Sequence, residues 1–147
     1  MSDVIIRRMV EKDLDAVSAI ERQAFADPWS YNAFKTDLNN EMACPIVAVV
    51  NDIVAGYSCL YIVAGEVQLG NFAVHSAFRK RGIGKTMMRE ILKIAESRNC
   101  ETIFLEVRES NKEAQALYES FGFRVMGLRN GYYRNPAENA VIMVKEL

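Results

Sequence analysis

The chain has 147 residues, half of them hydrophobic, a quarter charged and a tenth aromatic, with 18 basic against 19 acidic side chains and a net charge of -1. That is enough chain for a single domain, 1–147, with one good core, and it excludes disordered, fibrous and strongly basic nucleic-acid-binding classes. A lone histidine, His75, and three cysteines without C-x-x-C spacing (Cys44, Cys59, Cys100) argue against a two-histidine metal site and a disulfide scaffold.

The segment Met1–Arg8 meets two arginines before any long apolar run, unlike a secretory signal, and the longest strictly apolar run, Ile46–Val50, is far short of a membrane span. A reducing, cytoplasmic setting with no metal and no membrane partner is expected. Val4–Ile6 reads as an opening strand. From Asp13 the period changes, and Leu14, Val17, Ile20, Ala24 and Phe25 share a helical face until Asp27-Pro28 ends it. Ser30 can cap a second helix carrying Phe34 and Leu38. Cys44-Pro45 leads into three strands, Ile46–Val50, Ile53–Ile62 and Glu66–Val74, parted by Asn51-Asp52 and Ala64-Gly65, which suggests an antiparallel meander. Gly82–Gly84 opens a helix with Met87, Met88, Ile91, Leu92 and Ala95 inward, closed by Asn99. Thr102–Val107 is apolar and β-branched enough for an interior strand, and a right-handed crossover should lay it parallel to Glu66–Val74. Ser110 and Glu113 have capping-box spacing ahead of a helix with Ala114, Leu117, Tyr118 and Phe121 on one face, stopped by Gly122. Phe123–Leu128 and Val141–Val144 form a last strand pair around a polar loop, Arg129–Asn139. The whole is a mixed α/β sheet covered by helices, without internal repeats or linkers.

The most informative stretch is Arg79-Lys80-Arg81-Gly82-Ile83-Gly84-Lys85-Thr86, after a strand and before a helix. The glycines permit a tight turn whose amides point outward, the helix adds its positive end, and four basic side chains surround it, so a phosphate or pyrophosphate is the natural guest. A basic surface turn with ordinary glycine caps is the bland alternative. The Walker pattern fails because its leading glycine position is Arg79, and the dinucleotide fingerprint fails because its third glycine position is Met87.

The pattern R-x-x-G-x-G from Arg79 to Gly84, behind Asn71-Phe72-Ala73-Val74, resembles the acetyl-CoA signature of the GCN5-related N-acetyltransferases (GNAT). Asp27-Pro28-Trp29-Ser30, Leu105-Glu106-Val107-Arg108, Ser110-Asn111, Ala116-Leu117-Tyr118-Glu119, Gly122-Phe123 and Tyr132-Tyr133 extend the likeness over nearly the whole chain. Together they resemble the RimI group of bacterial ribosomal-protein-alanine N-acetyltransferases. The resemblance implies a GNAT-type acyl-CoA N-acyltransferase fold, with a mixed, mostly antiparallel central sheet flanked by helices. It implies that Phe72, Ala73 and Val74 lie beside the pantetheine arm of acetyl-CoA. The pyrophosphate would then rest on Lys80, Arg81, Gly82, Ile83, Gly84 and Lys85, next to Arg79, and Asn111 would touch the cofactor, although a helix-start role alone explains an asparagine there.

Acetyl transfer to an amine needs a neutral nucleophile, donors for the developing oxyanion and at most mild protonation of the departing thiolate. Glu106 is a carboxylate among strand residues, with Phe104 on its face and Leu105 and Val107 on the other. It is costly there unless paired or functional, so the residues alone leave open a salt bridge to Arg108 or another cation. The resemblance makes it the general base. Tyr118, on an apolar helical stripe, is either a core aromatic or, by resemblance, the general acid. Trp29 and the pair Tyr132 and Tyr133 are implied to wall a groove for an N-terminal peptide, with Gly131 standing where asparagine is more usual. The expected reaction acetylates the N-terminal α-amino group of a protein, with the alanine of a small-subunit ribosomal protein foremost. The alternatives are a broader set of N-termini, a lysine, polyamine or other small amine, or a cofactor-binding module without catalysis. His75 is expected to be structural or peripheral, Cys59 buried, and Met87 and Met88 core. No direct nucleic-acid partner is expected, and the residues leave the oligomeric state open.

Overall fold

The computed structural model describes residues 3–147; Met1 and Ser2, from the N-terminal segment read above, lie outside them. Seven strands, β1 (Val4–Arg8), β2 (Ala43–Val50), β3 (Ile53–Val63), β4 (Glu66–Val74), β5 (Thr102–Arg108), β6 (Arg124–Tyr133) and β7 (Glu138–Glu146), alternate with helices α1 (Leu14–Ala24), α2 (Tyr31–Leu38), α3 (Ile83–Ser97) and α4 (Lys112–Ser120). The strands form one sheet in the order β1-β2-β3-β4-β5-β7-β6. Every neighbouring pair is antiparallel except β4 and β5, which run parallel from Glu66 opposite Thr102 to Leu69 opposite Leu105. The meander and the crossover through α3 are therefore both present.

Local chemistry sets the helix ends. Asp13 accepts both arms of the Arg7 guanidinium (2.7 and 2.8 Å) and the Val10 N–H (2.9 Å), so it ties β1 to the start of α1. Ser30 Oγ accepts the Ala33 N–H at 3.1 Å and caps α2 as expected. At α4 the cap is Asn111, whose Oδ1 accepts the Ala114 N–H at 3.1 Å, rather than Ser110. The expected capping box does not form: the cap moves one residue on because asparagine caps as well as serine does, and the third helical residue is then Ala114, which has no polar side chain to bond back.

Two apolar layers sandwich the sheet. On one face Met88, Ile91 and Ala95 of α3 meet Val67, Leu69, Ile103, Leu105 and Met143, with Tyr118 of α4 at the same layer's edge. On the other face Leu14, Val17 and Ile20 of α1 and Phe34 of α2 cover Val47, Val49, Tyr57 and Cys59. The α3 layer explains β5, where Ile103, Leu105 and Val107 are buried beneath it while Thr102, Phe104, Glu106 and Arg108 on the other face are half-buried. Cys44, Cys59 and Cys100 are all buried free thiols. Met87 and Met88 are core, as the helical spacing predicts.

Three boundaries differ from the expectations. Cys44 and Pro45 lie inside β2, and β5 runs one residue past Val107 to Arg108. The last strands are longer than predicted, so Tyr132 and Tyr133 end β6 instead of sitting in a loop. Outer strand β6 is exposed along most of its length, Val125, Met126 and Leu128 included, so it has no alternation of buried and exposed residues to reveal it.

Candidate active site

The cleft arises where two parallel strands part. Pairing of β4 with β5 stops at Leu69 and Leu105, although β4 continues to Val74 and β5 to Arg108. A register shift in β3 between Ser58 and Leu60 falls at the same level. There Gly70 approaches the Cys59 carbonyl so closely that a Cβ would lie 2.9 Å from the oxygen. A bulge twists a strand pair locally, and here it coincides with the point where β4 leaves its neighbour. Phe72–Val74 thus keeps β3 on one side and has no strand on the other.

Beyond β4, Lys80 (φ 62°) and Gly82 (φ 77°) both take left-handed conformations, and helical bonding begins with Thr86 N–H donating to the Gly82 carbonyl at 3.0 Å. The backbone N–H groups of Lys80 through Lys85 consequently have no partner among the described residues. Arg79, Lys80, Arg81 and Lys85 are exposed around them, with Arg81 lying 5.2 Å over the Phe78 ring. Ile83 sends its side chain into the core, as does Ala73, so each offers the cleft only backbone. An uncovered strand edge leading to a ring of free amides and four cations suits a ligand with an amide-bearing arm and a pyrophosphate, and acetyl-CoA is such a ligand.

Phe72 links this half of the cleft to α4. It lies against Gly84 and meets Tyr118 edge-on at 6.0 Å. Tyr118 is 6% exposed and its hydroxyl bonds to no other described residue. Burial, with a further contribution from Tyr133, pushes that hydroxyl's pKa well up, so it remains protonated. Asn111 spends its carbonyl oxygen on the α4 cap, leaving the amide NH2 without a partner among the described residues.

The opposite wall is made of side chains. Glu106 Oε1 lies 3.6 Å from Arg129 Nη1, while Oε2 is buried with no hydrogen-bond partner among the described residues. Arg129 stacks 5.2 Å over Tyr132, which meets Tyr133 edge-on at 5.0 Å. Burial and the Glu106 carboxylate raise the Tyr132 hydroxyl, and burial followed by Tyr132 and Glu106 pushes Tyr133 up to about 12. Arg108, the cation nearest Glu106 in sequence, turns away. It pairs with Glu138 at 3.4 Å, donates to the Arg134 and Pro136 carbonyls and covers Tyr133 at 4.5 Å. That clamp, with Gly131 N–H donating to Asn139 Oδ1 at 2.9 Å, shapes the β6–β7 turn. Trp29 is half-buried on Phe34 at 5.5 Å. Asn135 Nδ2 donates to Asp27 Oδ1 at 2.8 Å and bridges the α1–α2 segment to the β6–β7 turn. His75 stays peripheral, its Nδ1 accepting the Ala77 N–H at 3.0 Å.

Sequence reasoning missed Glu21. This fully buried carboxylate accepts the Tyr57 hydroxyl, the Trp29 backbone N–H (2.8 Å) and the Asn71 amide (2.9 and 2.8 Å). It has no cationic partner among the described residues, and it pins the α1–α2 segment to the strand that lines the cleft. The available signal was a glutamate on the apolar stripe of α1, next to Ile20 and four residues after Val17. The same face holds a second such contact, the Tyr61 hydroxyl donating to the buried Asp37 of α2.

Residues 14–123 match the model of the acetyltransferase (GNAT) family. The chain belongs to that family. The acetyltransferase is 34% identical to the putative [ribosomal protein bS18]-alanine N-acetyltransferase of Bacillus subtilis, over 94% of this chain and 92% of that protein. It is 36% identical to the [ribosomal protein bS18]-alanine N-acetyltransferase of Salmonella typhimurium, over 89% of each. The crystal structure of the ribosomal-protein-S18-alanine N-acetyltransferase from Escherichia coli superposes with a TM-score of 0.91 at 32% identity, covering 98% of this chain and 94% of that one. The sheet with its single parred parallel pair and flanking helices is the GNAT fold, and the protein is an acetyl-CoA-dependent acetyltransferase. Among the described residues no three His, Cys, Asp or Glu side chains are grouped to hold a metal ion, and no helix is long and apolar enough to cross a membrane.

Proposed function

We propose that this acetyltransferase modifies the N-terminal α-amino group of a protein, with the N-terminal alanine of a ribosomal protein as its foremost substrate. The observation that carries the reading is the Glu106 carboxylate, half-buried beside the cleft with Oε2 unengaged and Tyr132, Tyr133 and Arg129 around it. The description of the relatives as [ribosomal protein bS18]-alanine N-acetyltransferases, putative for that of Bacillus subtilis, supports the same choice of substrate.

Acetyl-CoA, when bound, supplies an acetyl group activated as a thioester. The α-amino group, with a pKa near ~8, arrives largely as ammonium and must lose a proton before it has a lone pair to offer. Glu106 Oε2 takes that proton, directly or through one water. Arg129, 3.6 Å from the other oxygen, Oε1, offsets the carboxylate's charge and leaves Oε2 to the amine. The uncovered backbone of Phe72–Val74 would supply the donors that the attacked carbonyl requires. The carbon–nitrogen bond forms, the carbon–sulfur bond breaks, and Tyr118, kept protonated by burial, gives its proton to the departing sulfur. Trp29, Tyr132 and Tyr133 wall the approach.

Intact-peptide mass spectrometry with acetyl-CoA tests the reading. The panel begins with Ala, Ser, Thr, Gly, Met or an acidic residue and carries an internal lysine as control. Acetylation at the terminus, strongest for alanine, is expected; acetylation confined to lysine, or of no peptide, overturns it.

A further inference from the structure

The α1 and α2 layer covers β2, β3 and β4 but leaves uncovered the neighbouring half of the same sheet face. On β5 that half is the column Thr102, Phe104, Glu106. Two open cavities, of about 630 and 220 Å³, flank this column and share Phe104 as a wall. Phe104 is two residues from Glu106 on the same face of the same strand, so the surface is continuous with the candidate site. Near the candidate site the Asp27–Asn135 hydrogen bond ties the α1–α2 segment to the β6–β7 turn, and the sheet face beside Phe104 leads up to Glu106.

The far end of this surface is acidic. Glu66 borders the smaller cavity and Glu101 the larger, and both are exposed. They lie at adjacent strand ends, because Glu66 is paired with Thr102 and the Glu101 N–H donates to the Gly65 carbonyl at 2.7 Å. Neither carboxylate has an ion-pair partner among the described residues, whereas nearby Glu146 is matched by Arg124 at 3.1 Å. Like charges on neighbouring strands repel, and a bound cation relieves them.

We propose that the residues following the acetylated terminus run extended over Phe104, and that a basic side chain near the fourth to sixth position is held at the Glu66–Glu101 edge. The proposal rests on the N-terminal reading and adds a charge and a length to the substrate. The length follows from strand geometry: four residues of β5 separate Glu106 from Thr102, about 13 Å at ~3.3 Å each, and an extended peptide covers that span with the same number of residues. Apolar Phe104 and Val144 provide a floor for the intervening side chains.

The test uses peptides sharing one N-terminal alanine: a tripeptide, too short to reach the edge, and hexapeptides with arginine, glutamine or glutamate at positions four to six. With the unmodified enzyme, kcat/KM should rank arginine above glutamine above glutamate, separated about three- to tenfold and through KM, the scale of one or two exposed ion pairs. The double variant E66Q/E101Q should bring the three hexapeptides together, E66K/E101K should reverse their order, and added salt should compress the ranking. Equal KM values for all three hexapeptides, or a ranking that survives E66Q/E101Q, would refute the acidic edge while leaving N-terminal acetylation standing. Failure to acetylate any alanine peptide, the tripeptide included, would overturn both.

Discussion

The two sides of the cleft are built from different materials. The proposed acetyl-CoA side is mainly backbone: an uncovered strand edge at Phe72–Val74 and free amides from Lys80 to Lys85, with Ala73 and Ile83 burying their side chains. The proposed acceptor side is mainly side chain: Glu106, Arg129, Tyr132 and Tyr133, with a segment at Trp29 that hangs on the carboxylate of Glu21. Backbone presents the same amides whatever the residue, provided φ and ψ are kept. A side-chain wall depends on each chemical group. Substitutions should therefore be harsh on the acceptor side for what they remove, and harsh on the acetyl-CoA side only where they disturb a dihedral angle.

The largest effect is expected at Glu106. E106Q should lower kcat about 10²- to 10⁴-fold at saturating acetyl-CoA, the usual range for a general base, without loss of thermal stability. Glu21→Ala follows, because it strands the Tyr57 hydroxyl, the Asn71 amide and the Trp29 N–H together. It should cost about 3 kcal/mol by urea denaturation, and E21Q, which keeps the volume, should raise KM for the peptide more than it lowers kcat. Y118F should lower kcat about 10-fold, less than E106Q because a thiolate already leaves fairly well; a deeper loss than E106Q under the same conditions would refute that ordering. On the acetyl-CoA side, Gly82→Ala must hold an L side chain at φ 77°, costing about 1–2 kcal/mol and raising KM for acetyl-CoA, whereas Lys85→Ala should be milder. If Lys85→Ala proves the more damaging of the two, side-chain charge rather than backbone geometry holds the pyrophosphate, and the contrast between the two sides fails.

The smallest effect lies in the scaffold. Burial favours the neutral form of Asp13, but the Arg7 fork and the Val10 N–H outweigh it and hold its pKa below the ordinary carboxylate value. A depressed pKa stabilises the fold at pH above the unfolded value, near ~4, and that contribution disappears as pH falls through the lower folded value. Acid unfolding should therefore begin below about pH 4, and D13N should be about 1–2 kcal/mol less stable at pH 7 with a flatter profile below pH 4.

The two sides also differed in how far they could be read without coordinates. The glycine turn was visible because its parts are contiguous and each has a local reason: small residues for the turn, basic neighbours for the charge, a helix to follow. Glu106 was visible as a carboxylate out of keeping with its strand. Its partner was not, since Arg108 is two residues away along the chain but clamps the β6–β7 turn, while Arg129, from a neighbouring region of the sheet, reaches the carboxylate. Glu21 escaped notice because its partners Tyr57 and Asn71 lie 36 and 50 residues away. The tyrosine pair was placed in a loop because outer strand β6 has no buried face to impose alternation.

By itself the sequence determined the order of helices and strands, the basic glycine turn and the odd carboxylate in β5, because each depends on residues adjacent in the chain or one helical turn apart. Only the tertiary structure decided where β4 and β5 part, which arginine faces Glu106, that Glu21 holds the acceptor wall, and that half of one sheet face stays open beside Phe104. Those are outcomes of packing between segments far apart in the chain, and no local periodicity encodes which distant side chains will share a site.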